Sequence, residues 1–338
     1  MPASCGPVRV AVYGTGSWAN RTHIPNLLKL GGVELVAACD ASREAVEGAA
    51  RAHGIPRTYA DGQAMVADGG FDVLFSCVPA FARTGVEAAA AEAGVHLFSE
   101  KPQATTMAVA RRIDAAVRQA GVLSTVCFRE RYRPLSQEAR RLLAGREIVH
   151  VRFSSCGGLP GLLPASGPAS WHQDMARSGG SAFDWGVHAV DYIRFVTGLD
   201  VATAQAYYHH PARYVSPLSC SFNLRLESGA TATLSFVSAV KSAPPEEPWF
   251  TFFYLGGYLA IHRYDRLVVD GETAYQAADF DPWLEQDRAF IEAVRTGDGS
   301  ALLNDYHDGL YSLAPVLAGW ESARRGGQLI DMAAFMEA

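Results

Sequence analysis

An apolar strand, Val8 to Tyr13, runs directly into Gly14-Thr15-Gly16-Ser17-Trp18-Ala19 and then into a helical segment from about Asn20 to Leu30. This strand–turn–helix with its G-x-G-x-x-A spacing constrains the fold more than any other feature of the chain. Gly14 permits a tight turn, Gly16 lets the backbone approach a pyrophosphate, and Ala19 allows close helix–strand packing. Amide groups at the start of the helix then face the phosphates, aided by the helix dipole. Glycines so spaced also occur in plain turns, so the context decides. A second strand, Val33 to Cys39, closes on Asp40, about 20 residues further on, where a carboxylate accepts ribose hydroxyls. Together these predict a dinucleotide site at Gly14, Thr15, Gly16, Ser17, Trp18 and Asp40. The Asp40 charge repels a 2′-phosphate, which favours NAD over NADP. Arg43 stands close enough to hold such a phosphate; the alternative is a solvated residue on the following helix.

The first third of the chain continues to alternate. After Ser42 to His53, a helix-like run, come a strand at Asp72 to Val78, an Ala-rich helix at Thr84 to Ala93, and a strand at Val95 to Ser99. A helix at Thr106 to Ala120 and a strand at Val122 to Phe128 follow. Strands separated by helices of this length need parallel crossovers, hence an α/β, doubly wound parallel sheet of the Rossmann type over residues 1–126. Beyond it the pattern changes. Val149 to Ser155 is a strand, and Ala182 to Thr197 one long helix. Strand-like runs then succeed one another: Thr203–Tyr208, Cys220–Glu227, Ala230–Val240, Trp249–Leu259 and Arg266–Asp270. Glu227-Ser228-Gly229 reads as a hairpin turn. Residues 127–338 are therefore expected to form an α+β domain with a mostly antiparallel open sheet. The closing helices, Trp283–Arg295 and Tyr306–Arg325, could pack on either domain.

Composition narrows the function. Of 338 residues, 49% are hydrophobic and 19% charged, which marks a globular chain. A net charge of -6 argues against nucleic-acid or anionic-membrane partners. No stretch approaches the ~20 apolar residues of a membrane span. Met1 to Pro7 lacks the regions of a signal peptide, so a cytoplasmic location is expected. The six cysteines, Cys5, Cys39, Cys77, Cys127, Cys156 and Cys220, show no metal-ligand spacing. No metal site is expected, and Cys39, Cys77 and Cys127 read as buried thiols within apolar strands.

Two motifs reach beyond the fold. In Ser99-Glu100-Lys101-Pro102, Lys101 lies at the carboxyl end of a strand, where such sheets bind ligands. Pro102 restricts Lys101 to an extended backbone. In Gly179-Gly180-Ser181-Ala182-Phe183-Asp184-Trp185-Gly186-Val187-His188, Asp184 and His188 are four apart on a helix and share a face, with Asp191 three residues on. By itself Lys101 could be a surface lysine, and Asp184 with His188 a structural pair.

In combination, GTGSWA, the acid at Asp40, SEKP, R-Y-x-P at Arg131–Pro134 and GG-x4-D-x-G-x-H-x-x-D resemble the Gfo/Idh/MocA oxidoreductases. Asp287–Val294 and Tyr306–Leu310 are similar to that family's pattern as well. The resemblance covers nearly the whole chain in order. It implies hydride transfer between NAD(P) and a hydroxyl or ketone of a sugar, cyclitol such as inositol, or related polyol. It also implies a homodimer or homotetramer built through the C-terminal sheet. Lys101, Asp184 and His188 match the family's catalytic trio, and Cys77, Val78, Pro79 and Glu100 then border the cofactor with Lys101. The chemistry agrees. A secondary alcohol is a very weak acid, so a base such as His188 must take its proton, while Lys101 donates a hydrogen bond to the reacting oxygen. Asp184 orients the imidazole or holds an adjacent hydroxyl. The chain departs from the family where Pro79-Ala80-Phe81-Ala82-Arg83 replaces the common Pro-Asn-x-x-His. Two other readings stay open: a glycoside-cleaving relative that retains its NAD, and a non-catalytic ligand sensor.

Some residues are ambiguous at this level. Arg129 could recognise a substrate anion or be a surface residue beside Glu130. Trp171 and His172 could line a sugar pocket, with core packing the alternative for Trp171. His209-His210 points to a loop end rather than a metal site, since neighbours on a strand face opposite ways. Trp249 to Leu255, apolar at nearly every position, is expected to be buried on both faces or to form a subunit interface.

Overall fold

The computed structural model describes residues 6–241, 244 and 247–337, and Cys5 lies outside them. The chain folds into two compact units: residues 1–132 with 281–310, and residues 133–280 with 311–338.

In the first unit, six strands form a parallel sheet: β1 (Val8–Tyr13), β2 (Val33–Cys39), β3 (Arg57–Tyr59), β4 (Val73–Ser76), β5 (His96–Ser99) and β6 (Ser124–Val126). Their order, β3-β2-β1-β4-β5-β6, is that of the doubly wound dinucleotide-binding sheet. The sequence pattern did not single out β3, three residues long, or the helix after it, α4 (Gly62–Asp68), seven residues long. The expected helix at Asn20 to Leu30 is two helices, α1 (Ser17–Arg21) and α2 (His23–Lys29), broken at Thr22. The crossovers are completed by α3 (Arg43–His53), α5 (Val86–Glu92) and α6 (Met107–Ala120).

The division differs from a single boundary at residue 126 because α10 (Pro282–Thr296) belongs with the first unit. Phe290 and Ile291 bury themselves in the core formed by β1, β4, β5 and α2. The Phe290 ring meets Phe75 and Phe98 edge-on at 6.2 and 5.7 Å, and Phe75 stacks on Phe98 at 4.3 Å. A buried Phe contributes about 1.5–3 kcal/mol through area alone, which decides where α10 packs.

The second unit contains α7 (Pro134–Leu143), β7 (Ile148–Gly157), α8 (Met175–Ser178), α9 (Gly180–Thr197), β8 (Val201–His209), β9 (Ser219–Leu226) and β10 (Thr231–Ser238). Then come β11 (Phe250–Tyr254), β12 (Gly257–His262), β13 (Arg266–Val269), β14 (Glu272–Gln276) and, past α11 (Tyr306–Arg324), β15 (Ile330–Asp331) and α12 (Met332–Glu337). The nine strands run in the order β14-β13-β12-β11-β7-β10-β9-β8-β15, with only β7 and β10 parallel. The Glu227–Gly229 hairpin forms as expected. The run Trp249 to Leu259 is two strands, not one, because the chain reverses at Leu255-Gly256 to pair Tyr254 with Gly257. β11 lies between β7 and β12, and its residues are buried on both faces apart from half-buried Phe253. Helix α9 packs on β7 and β10, and an added Cβ at Gly186 would stand 3.1 Å from Val316 of α11.

Candidate functional site

The glycine turn has the geometry its spacing demands. Gly14 adopts φ +93°, and a Cβ there would lie 2.7 Å from the Val78 amide nitrogen, so no other residue fits. Gly16 precedes α1, and a Cβ added to it would meet nothing within 4 Å; no side chain caps the amides that follow. An open approach to uncapped amides suits a pyrophosphate. Asp40 proves to have a second duty. It accepts the Thr15 amide at 2.8 Å and the Ser42 amide at 2.9 Å, tying the turn to the end of β2. A carboxylate has about four acceptor positions, so capacity for a ribose hydroxyl remains. Arg43 is exposed and pairs with Glu47 at 2.7 Å, as the solvated reading expects.

The strand ends beside the turn hold a buried charge network. Glu100 accepts the Trp18 indole N–H at 2.7 Å and the Lys101 amide at 2.9 Å, and it meets His23 Nε2 at 2.9 Å. The other His23 nitrogen, Nδ1, meets Asp287 at 2.9 Å, and Asn26 donates to the same carboxylate. Burial by itself would lower the His23 pKa; the Asp287 charge overrides it and holds the imidazole well above its ordinary value. Burial likewise opposes ionisation of Glu100, yet the His23 hydrogen bond and charge, with the Lys101 charge, bring it down to about 2. Asp287 is raised, because its burial outweighs the attraction of His23. Thus the Glu100 carboxylate links Trp18 of the turn to the backbone of Lys101, and the His23 imidazole joins that carboxylate to Asp287.

Sequence reasoning singled out neither His23 nor Asp287 as a site residue. The only signal was Asp287 inside a recognised C-terminal pattern. His23, Glu100 and Cys127 come close enough to be metal ligands. Nε2 engages Glu100, and burial pushes the Cys127 thiol up to about 12. Burial also pushes Cys39 and Cys77 up to about 12, as expected of inert thiols.

Pro79 leads into a single 3-10 turn, Ala80–Ala82, after which Arg83 is fully buried. Arg129 is not the surface residue of one sequence reading. It is 7% exposed, beside Glu130 at 3.1 Å, with its guanidinium 4.3 Å from the Trp283 ring centre. Arg131 donates to the Leu303 carbonyl and pairs with Asp308, both at 2.6 Å.

In the second unit, α9 carries Asp184 exposed and His188 buried one turn on. Gly179, at φ +65°, turns the chain from α8 into α9. Asp191 is buried and accepts the Ser312 hydroxyl at 2.9 Å, a bond that holds α11 to α9. A cavity of about 560 Å3 adjoins the first turns of α9, with Ser181, Trp185, Ser154, Trp249, Glu247 and Arg263 in its wall. The Trp185 ring lies 5.7 Å from His188 and 5.8 Å from Trp249. Trp171 and His172 are not in that wall; their rings stack on each other at 3.7 Å, and neither is buried in the core. Trp185 of the glycine-rich helix motif and Trp249, at the start of the apolar run before β11, are the two indoles in the wall. His210 ends in a loop, bonded to the Tyr214 carbonyl, as expected.

The glycine turn on a 3-2-1-4-5-6 sheet, the Lys101 strand end, and α9 on an open sheet define the class. The first unit is a dinucleotide-binding Rossmann module. Residues 8–128 match the model of the Gfo/Idh/MocA oxidoreductase family, NAD-binding Rossmann fold, and residues 136–260 match the GFO/IDH/MocA C-terminal domain. The chain belongs to the Gfo/Idh/MocA oxidoreductase family. It is 30% identical to the D-apiose dehydrogenase of Paraburkholderia graminis over 69% of this chain and 61% of that protein. It is 27% identical to the scyllo-inositol 2-dehydrogenase (NAD(+)) of Bacillus subtilis over 59% of this chain and 57% of that protein. The chain thus spans little more than half the length of these curated relatives. Among solved structures it is similar to the WlbA dehydrogenase from Bordetella pertussis in complex with NADH and UDP-GlcNAcA, with TM-score 0.81 and 24% identity over 98% of this chain and 99% of that one.

Proposed function

We propose that the chain is an NAD-dependent dehydrogenase or reductase acting on a hydroxyl or ketone of a sugar, cyclitol or related polyol. The observation that carries this reading is the indole-walled, hydroxyl-bearing cavity beside the helix of Asp184 and His188. Indole faces with a few polar groups suit a ring whose faces are apolar and whose rim is hydroxylated. Bound NAD supplies the acceptor for the hydride. Gly14 to Trp18 and Asp40 hold the dinucleotide, with Cys77, Val78, Pro79 and Glu100 bordering it; the charge of Asp40 favours NAD over NADP, and Arg43, held by Glu47, does not offset it. His188 takes the hydroxyl proton, and Asp184 orients it or holds the adjacent hydroxyl. Lys101 donates to the reacting oxygen and stabilises the developing alkoxide. Arg129 contributes a contact to an anionic group of the substrate.

The homodimer or homotetramer forms through the open sheet of the second unit. The five described cysteines are unbridged, which supports a cytoplasmic location. A panel of sugars, glycosides and inositols with NAD, followed for NADH, tests the reading. Net NADH from at least one polyol supports it. Release of an aglycone without net NADH would point to the glycoside-cleaving relative, and ligand binding without either product to a sensor.

A further inference from the structure

We propose that Arg83 is a positioning residue for Lys101: its buried guanidinium staples together the ends of β4 and β5, which carry the cofactor loop and Lys101. The role in turnover rests on the oxidoreductase reading; the staple itself does not.

Arg83 is 2% exposed, and its donors divide between two neighbouring strand ends. On the β5 side, Nη2 donates to the Glu100 carbonyl at 2.6 Å and Nη1 to the Ser99 hydroxyl at 2.7 Å. On the β4 side, Nη1 donates to the Ser76 hydroxyl at 3.1 Å and Nη2 to the Val78 carbonyl at 3.2 Å. Glu100 and Lys101 share one peptide unit, so the Glu100 carbonyl sets the plane from which the Lys101 chain departs. The Glu100 carboxylate fixes the amide of that same unit at 2.9 Å. Both polar ends of the peptide before Lys101 are therefore held by buried charged groups, one of which is Arg83.

The arrangement is a poor stabiliser, which argues that it serves geometry. The acid paired with the guanidinium, Glu87, stands 3.7 Å away and is bridged through Ser76, which donates to it at 2.7 Å. Arg83 Nε and Glu87 Oε2 have no hydrogen-bond partner. A buried ion pair of this kind is often matched or bettered by apolar residues of similar volume. What apolar residues cannot reproduce is a planar fork that binds two carbonyls and two hydroxyls on two strands at once. A displacement of about one ångström at a reacting group can cost about a hundredfold in rate.

The test compares the whole wild-type chain with Arg83→Lys and with the double variant Arg83→Met/Glu87→Gln, which removes both buried charges so that neither is stranded. Backbone deuterium exchange over Ser99 to Gln103 is read first, beside the melting temperature. We expect exchange there to rise about tenfold in the double variant while other peptides and the melting temperature hold; unchanged exchange overturns the proposal whatever the activity. Second, kcat with the polyol that yields NADH is expected to fall about a hundredfold, with NAD affinity little altered and Arg83→Lys intermediate. Wild-type kcat in the double variant overturns the role in turnover. Arg83→Lys keeps the charge but lacks the fork, and it carries both readouts if the double variant does not fold. If the wild-type chain turns over no polyol yet exchange rises as expected, the oxidoreductase reading fails and the staple stands.

Discussion

The charged residues beside the dinucleotide turn of the first unit and those around the cavity of the second are held in opposite ways. In the first, His23, Glu100 and Asp287 are between 0% and 6% exposed, and each side chain is engaged on more than one side. In the second, Glu247, Arg263 and Asp265 are exposed around the cavity beside α9. Paired charges in a low-dielectric interior hold their partners to one geometry, since leaving either alone is costly. Charges in water hold little fixed and can exchange their partners for a ligand. The contrast fits a scaffold that holds one invariant cofactor in place and a pocket that must admit and release a substrate.

Breaking each side of that contrast produces different losses. The largest is expected from His188→Ala, which removes the base; kcat falls about 10²–10⁴-fold while NAD binding, read by fluorescence titration, is retained. A wild-type rate would remove His188 from the mechanism. Asp287→Ala attacks the other side, stranding the His23 charge; a loss of roughly 3–5 kcal/mol in urea unfolding is expected. A smaller effect is pH-dependent. The Glu100 pKa falls from 4.5 to about 2 on folding, so its contribution is complete above about 4.5 and is lost as pH drops through about 2. Melting curves of Glu100→Gln should therefore decline less steeply with acid over that window than those of the wild type. His23, raised on folding, has the opposite sign: its contribution is full below 6.5 and is lost as pH rises through its folded value. Trp249→Ala opens the cavity wall and is expected to raise KM for polyol several-fold, roughly the 0.5–1.5 kcal/mol of an aromatic contact, with KM for NAD unchanged. Least of all, Arg43→Ala should leave the NAD-over-NADP preference within about twofold, because an exposed ion pair contributes about 0–1 kcal/mol.

Much of the first unit was legible in the sequence, and the reasons are local. The turn at Gly14, the acid at Asp40 and the lysine after β5 follow from strand and helix periods and from chain order, which place them at strand ends. Asp184 and His188 follow from helical spacing. The missed features are those whose meaning depends on distant partners. Nothing near His23 announces Asp287, 264 residues away. The split of α1 from α2 and the reversal at Leu255-Gly256 were hidden by continuous apolar or helix-forming runs. Whether Arg129 was buried or on the surface could not be read locally, because its partner Trp283 lies on a helix that the sequence left between two domains. Trp185 and Trp249 lie 64 residues apart in the chain, so only the fold brings both to one cavity.

By itself, the sequence determined the class of the first sheet, the residues that shape the dinucleotide turn, and the helix that presents Asp184 and His188. Each rests on contacts within a few residues, where backbone sterics and periodicity leave one outcome. The tertiary structure alone decided that α10 joins the first core, that a buried Glu100 backed by His23 ties Trp18 to the Lys101 peptide, and that Arg83 spans two strand ends. Those depend on burial of groups far apart in the chain, and burial sets whether a charge is solvated, paired or left as a clamp.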